Sequence, residues 1–82
     1  MYNLLRSKGF AEEDSLDKAI DWLNSKGIYV DLLTMFDPDN NEFVGYSAQI
    51  MFSSGSNLQS EEVFYTKEDA LTNLLYAIHE YF

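Results

Sequence analysis

Residues 15–36, SLDKAIDWLNSKGIYVDLLTMF, change their hydrophobic period from that of a helix to that of a strand. Before Gly27 the apolar side chains share one helical stripe, formed by Leu16, Ala19, Ile20 and Leu23. From Ile28 onward, β-branched and aromatic residues recur with a period of two. The stretch therefore predicts a helix over 15–26, capped by Asp14 or Ser15 and ended by Gly27, and then a strand over 28–36.

The chain after residue 36 predicts a hairpin, a third strand and a closing helix. Pro38 lies among several Asx residues at 37–41, a composition typical of a turn, and small polar residues predict another turn at 53–57. Thr66 is placed to cap the last helix. The predicted elements are a strand over 42–53, a weaker strand over 58–65 and a helix from Lys67 almost to Phe82.

The segment before residue 15 predicts a short additional helix, Tyr2 to Lys8, closed by Gly9. Helices on one face of an antiparallel sheet bury both sets of apolar stripes. The expected fold is thus an α+β two-layer sandwich in the order α-β-β-β-α, with the short helix in front. Its expected core is Leu16, Ala19, Ile20, Leu23, Val30, Leu32, Val44, Tyr46, Ala48, Ile50, Leu71, Leu74 and Ile78.

Composition restricts the class of protein. The 82 residues are 46% apolar and 16% aromatic, which is too apolar for a disordered acidic tail and fits one small domain, residues 1–82. No apolar run approaches the roughly 20 residues that span a bilayer. Cysteine is absent, which excludes disulfides and thiolate chemistry. We expect a cytoplasmic protein with no membrane partner.

Charge argues against nucleic acid as a direct partner. Fourteen Asp and Glu residues against five Lys and Arg give a formal net charge of -9. A chain this acidic repels phosphate. The densest acidic cluster, Glu12, Glu13, Asp14, Asp17 and Asp21, is interpreted as a solvated helix start.

Two stretches resemble small uncharacterised proteins encoded by bacteriophages, prophages and mobile elements of gut bacteria. SLDKAIDWLNSKGIYVDLL is similar to the amphipathic helix and extended run of that group, and FYTKEDALTNLLYAIHEYF is similar to its closing capped helix. The resemblance implies a fold and carries no activity.

The order of elements also resembles that of double-stranded RNA-binding domains. Those domains grip phosphate with a basic start to their last helix. Here that position reads Lys67-Glu68-Asp69. The resemblance therefore extends to topology and not to RNA binding.

No residue pattern predicts catalysis or a bound cofactor. Residues 37–42 begin like a calcium loop, but Glu42 and Ala48 stand where that loop needs glycine and a bidentate glutamate. His79 has no second histidine or cysteine to complete a metal site. There is no Gly-x-Ser-x-Gly elbow and no glycine-rich phosphate loop. We expect a non-enzymatic protein with no catalytic, cofactor-binding or metal-binding residues.

Apolar side chains outnumber the interior positions that one small sheet offers. They surround more of the last helix than a single stripe, and they occupy both faces of the first strand. Either the N-terminal segment covers this surplus or a partner does. The candidate interface residues are Trp22, Tyr29, Leu33, Met35, Leu75, Tyr76 and Phe82.

Two functions follow from these observations. The first is a homodimeric protein-interaction module that binds through an apolar sheet face or helix flank. The second is an acidic decoy of phage type that blocks a nucleic-acid-binding host protein. The decoy requires carboxylates in a row on one face, so their arrangement separates the two.

Overall fold

The computed structural model describes residues 1–82, and it contains three α-helices, three strands and a final turn of 3₁₀ helix. The strands are antiparallel and form one open sheet in the order β1-β2-β3. The elements are α1 Tyr2–Ser7, α2 Leu16–Ser25, β1 Ile28–Phe36, β2 Phe43–Phe52, β3 Asn57–Gln59, α3 Lys67–Ala77 and the 3₁₀ turn His79–Tyr81.

Helices α2 and α3 pack on the same side of the sheet, against β1 and β2 respectively. The expected α+β arrangement is therefore confirmed. None of the helices has the length and apolar character needed to cross a bilayer.

Local capping explains where the helices begin. The Ser15 hydroxyl accepts a hydrogen bond from the Lys18 amide, so Ser15 and not Asp14 caps α2. The Thr66 hydroxyl accepts from the Asp69 amide at 3.0 Å and caps α3. Each bond satisfies an amide that has no partner inside its helix.

Helix α1 ends in a Schellman motif that directs the chain back to the core. The Phe10 amide donates to the Leu5 carbonyl at 3.0 Å, the Gly9 amide donates to Arg6 at 3.2 Å, and Gly9 has φ +111°. Leu5 and Phe10, which bracket this motif, are both buried in the single hydrophobic cluster. This six-residue helix is docked by its C-terminal turn.

Two predicted elements are shorter than expected. A third strand is expected over 58–65, but β3 has three residues. Beyond it the pairing continues only through the Ser60 amide, which donates to the Ala48 carbonyl, and through the isolated bridge between Tyr46 and Phe64. The last helix was expected to reach almost to Phe82, but α3 ends at Ala77. At Ile78 the backbone leaves helical geometry, with φ -118° and ψ 13°, and the 3₁₀ turn follows.

Val44 is a wrong core prediction, and a bulge explains the error. Met35 pairs with Gly45 while Phe36 pairs with Phe43, so Val44 is an extra residue without a partner. A bulge breaks the period-two alternation. Val44 is consequently 46% exposed.

The rest of the expected core lies in the hydrophobic cluster or against it. Leu16, Ile20, Val30, Leu32 and Tyr46 are half-buried at its margin, and the other expected residues are buried. The prediction omitted five buried members, namely Leu5, Phe10, Ile28, Ala70 and Leu75.

Candidate functional site

The two faces of the sheet have different surroundings. Beyond the bulge at Val44, the even-numbered side chains of β1 and β2 point toward the helices, and Val30 and Ile50, for example, lie in or against the hydrophobic cluster. No helix packs on the opposite face. We call this opposite side the open face; it is formed by Tyr29, Asp31, Leu33 and Met35 of β1 and by Gly45, Ser47, Gln49 and Met51 of β2.

The accessible part of the open face is centred on one cross-strand pair. Tyr29 lies opposite Met51, and the two side chains are 50% and 47% exposed. Asp31 and Gln49 form the next pair, and together these residues line a shallow depression. An aromatic ring and a flexible thioether side by side are typical of surfaces that bind protein.

The other end of the open face is partly covered by the chain that follows β3. The Val63 side chain and the Phe64 backbone lie directly over Gly45. A β-carbon added to Gly45 would overlap the Val63 side chain and would stand 2.6 Å from the Phe64 carbonyl oxygen. Ser47 is buried, while Leu33 and Met35 are half-buried. Val63 itself is 46% exposed and extends the apolar surface.

Leu75 is a wrong interface prediction because it is fully buried. Helix α3 buries Leu71 and Leu74 on one stripe and Leu75 beside them. Leu5 and Phe10 from the N-terminal segment belong to the same cluster. The next residue, Tyr76, points outward and is 56% exposed.

Trp22 and Phe82 also belong to the packing within the chain. The Trp22 ring meets Phe10 and Phe82 edge to face, with centroids 5.8 Å and 6.1 Å apart. The Lys26 ammonium lies 5.6 Å above the Trp22 ring, and the Lys8 ammonium lies over Phe82. Trp22 is therefore held by its neighbours, and the aromatic surface it offers is small.

The acidic side chains are dispersed, and those at the start of α2 have basic partners. Asp14 is paired with Arg6, and the Lys18 ammonium lies 3.0 Å from Glu13 and 3.7 Å from Glu12. A hydrogen bond to Glu13 and the charge of that carboxylate raise the pKa of Lys18. Most of the remaining acids lie in the β1–β2 turn, in the connection to α3 and in the first turn of α3.

Near the start of α1, burial raises the pKa of Tyr2, and the nearby charges of Glu68 and Asp14 raise it further. A phenolate there would be poorly hydrated and would face two carboxylates. Tyr2 therefore stays protonated to higher pH than an exposed tyrosine.

The segment that resembles a calcium loop is a hairpin turn. Asp37 uses one carboxylate oxygen to accept from the Asp39 amide, and the Asn40 side chain accepts from the Glu42 amide. Asn41 adopts φ +58°, which closes the turn. No three histidine, aspartate or glutamate side chains of the chain converge in a way that would hold a metal ion.

The largest groove of the molecule, about 580 Å³, lies between the β2–β3 turn and the end of α3. Its walls carry serine hydroxyls, Tyr81 and Lys26, and the Lys26 ammonium is held over Trp22. His79 is exposed on the outside, where its Nδ1 lies 2.9 Å from the Tyr76 carbonyl oxygen. No base lies beside a nucleophile in this groove.

Comparison with protein-family models, with curated proteins and with solved structures finds no match to this chain. Function must therefore be argued from the residues.

Three candidate interface residues lie together on the open face: Tyr29, Leu33 and Met35. The candidates on the helix side are separated from them by the sheet, and of those only Tyr76 is well exposed. Sequence reasoning did not include Met51 or Val63. The period-two alternation of β2 places Met51 on the open face, whereas no sequence signal indicates that Val63 crosses Gly45.

Proposed function

We propose that this chain is a non-enzymatic protein-interaction module that works as a homodimer and binds a protein partner through the open face. The observation that supports the proposal is the half-exposed Tyr29–Met51 pair on a sheet face without helices. Around the pair, the open face has only one charge, that of Asp31. Removing a surface of this composition from water lowers the free energy and so favours binding.

The dispersed carboxylates give no specific support to an acidic decoy. A decoy needs a row of unpaired carboxylates on one face, whereas those at the start of α2 are engaged by Arg6 and Lys18. Most other acidic residues keep the surface outside the open face well hydrated.

The experiment compares two exposed apolar residues on opposite sides of the molecule. Met51→Asp places a charge on the open face, and Tyr76→Asp places the same charge on the helix flank. Sedimentation in the micromolar range measures self-association, and capture from a host lysate measures partner binding. We expect the wild type to be dimeric, and we expect Met51→Asp alone to abolish capture of a specific protein.

The comparison is valid only if both variants remain folded. Circular dichroism and thermal unfolding test whether they do. A monomeric wild type, or a captured protein equally retained by Met51→Asp, would contradict the proposal. Loss of capture with Tyr76→Asp alone would move the binding surface to the helix flank.

A further inference from the structure

The two edges of the sheet are protected to different degrees. The β3 edge has three residues and leads into Glu61 and Glu62. The β1 edge has nine residues, contains neither proline nor lysine, and carries only the charge of Asp31. Sheet edges that do not pair with another chain are commonly short, charged or interrupted by proline. Only the β3 edge has such protection.

Hydrogen bonds establish which backbone groups of β1 point outward. Tyr46 exchanges both backbone hydrogen bonds with Phe64, and the Ala48 carbonyl accepts from the Ser60 amide, so even-numbered β2 residues face β3. Odd-numbered β2 residues therefore face β1, where they pair with odd-numbered residues. The even-numbered residues of β1 consequently direct their amides and carbonyls away from the sheet.

These outward groups have no partner within the chain. The hydrogen bonds outside the regular ladders and helices include none to the backbone of Val30, Leu32 or Thr34, and no side chain bonds to them. Val30 and Leu32 point toward the helices and are nevertheless only half-buried. A further strand at the β1 edge would lie beside both side chains.

We infer that β1 pairs antiparallel with β1 of a second copy, about a twofold axis at Leu32. This inference rests on the proposed homodimer and specifies its geometry. The axis places Leu32 opposite itself and Val30 opposite Thr34 of the partner subunit. In this register each outward amide of one strand meets an outward carbonyl of the other, so the edge is complementary to itself.

This register places mostly apolar side chains of the two β1 strands opposite one another. On the helix side Leu32 packs against its own copy, and Ile28 lies opposite Phe36 of the partner subunit. On the open face Tyr29 lies opposite Met35 of the partner subunit, an aromatic–apolar pair that stabilises adjacent strands. The dimer has a six-stranded sheet, and the two open faces become one continuous surface.

Asp31 is the one residue that opposes this pairing. It lies opposite Leu33 of the partner subunit, so the two Asp31 side chains are diagonal neighbours about 7–8 Å apart. Two carboxylates at this separation repel one another across partly hydrated surface. The charge limits the affinity. The pairing stops at two copies because it uses both β1 edges and leaves only the short β3 edges at the ends of the sheet.

The decisive variant removes one outward amide. Thr34→Pro keeps the monomer intact because the Thr34 amide has no partner within the chain and Thr34 is exposed. Thr34→Val is the matched control because it retains the amide and the branched side chain. By sedimentation we expect Thr34→Val to dimerise like the wild type and Thr34→Pro to be monomeric with a native circular dichroism spectrum.

A second measurement applies if Thr34→Pro does not fold. In wild-type protein the amides of Val30, Leu32 and Thr34 should exchange with deuterium more slowly as protein concentration rises. The amides of Leu33 and Met35, which face β2, should be protected at all concentrations. Fast exchange at Val30 and Leu32 at concentrations where the protein is dimeric would overturn the inference.

Charge at Asp31 provides a graded test. Asp31→Asn should lower the dimer dissociation constant about two- to fivefold, as expected for relief of one like-charge pair. Asp39→Asn, in the turn beyond the strand, changes net charge equally and should have a smaller effect. Equal effects of the two variants would count against a twofold axis at Leu32.

The outcomes separate this inference from the proposed function. A wild type that stays monomeric overturns both. A dimer that survives Thr34→Pro but is lost in Met51→Asp overturns edge pairing and keeps the homodimer, which would then form through the open face. A dimer lost in Thr34→Pro and retained in Met51→Asp supports both.

Discussion

The helix-covered face and the open face of the same sheet are built from alternating residues of the same strands, yet different segments of the chain cover them. The helix side is filled by side chains from both α2 and α3 and from the N-terminal segment, including Leu5, Leu23 and Leu75. The open side has only the crossing at Val63. An apolar residue on the first face therefore stabilises the fold, and one on the second is available for binding.

The largest expected effect on the free energy of unfolding tests whether the covered side includes Leu75 and excludes Tyr76. Leu75→Ala should lower the free energy of unfolding by about 2–5 kcal/mol because it leaves a cavity in the core. The adjacent Tyr76→Ala should change it by less than about 0.5 kcal/mol because Tyr76 is exposed. Urea unfolding measures both. Equal values for the two variants would show that α3 does not bury Leu75 as described.

A smaller effect tests the one crossing on the open side. Gly45 has φ +148°, and a β-carbon there would clash with Val63 and Phe64. Gly45→Ala should therefore lower the free energy of unfolding by roughly 2–3 kcal/mol through strain and displaced chain. Gly55→Ala is the control, because Gly55 also has positive φ, +96°, but no atom lies within 4 Å of the added carbon. Its cost should be roughly 1 kcal/mol.

If the two glycine variants unfold at the same urea concentration, backbone strain accounts for the whole cost. The crossing at Val63 would then be loose, and the accessible part of the open face would include Gly45. A larger cost for Gly45→Ala would show that Val63 and the Phe64 backbone cover Gly45 as closely as described.

The smallest expected effect is on the pH dependence of the free energy of unfolding, and it tests how α1 holds Tyr2. Burial, with Glu68 and Asp14 nearby, raises the pKa of Tyr2 above its ordinary value of about 10. The folded chain thus keeps a proton that the unfolded chain has lost, and stability decreases as pH rises from about 10 through the pKa of the folded state. Tyr2→Phe should reduce this decrease, as measured by urea unfolding at alkaline pH.

Tyr65→Phe is the control for this pH dependence, because Tyr65 is 88% exposed. It should leave the slope of stability against pH unchanged. A Tyr2→Phe variant with the wild-type slope would indicate that α1 does not hold Tyr2 against the two carboxylates.

Much of the architecture was predictable because it depends on short-range chemistry. The limits of β1, the cap at Thr66 and the closing glycines at 9 and 27 follow from residues within one or two turns of one another. The short β3 was not predictable in this way. Its residues pair with β2 only in part, and pairing between strands depends on the position of both.

The candidate site was predicted in part for the same reason. Alternation in β1 places Tyr29, Leu33 and Met35 on one face, and the structure leaves that face without a helix. Leu75 was misplaced because an apolar residue beside a helical stripe has the same local pattern whether a neighbour or water covers it. Leu75 shares one hydrophobic cluster with Leu5, Leu23 and Ile50, which are far away in the sequence.

The sequence by itself determined the order of elements, the ends of α2 and the two-sided apolar character of β1, since each follows from the local spacing of apolar, capping and glycine residues. Only the tertiary structure decided which apolar residues are accessible. It buried Leu75 in a cluster with residues from distant segments, engaged Trp22 with Phe10 and Phe82, and left Tyr29 and Met51 open. The physical reason is that burial is a property of contacts between distant segments, and periodicity describes only one segment at a time.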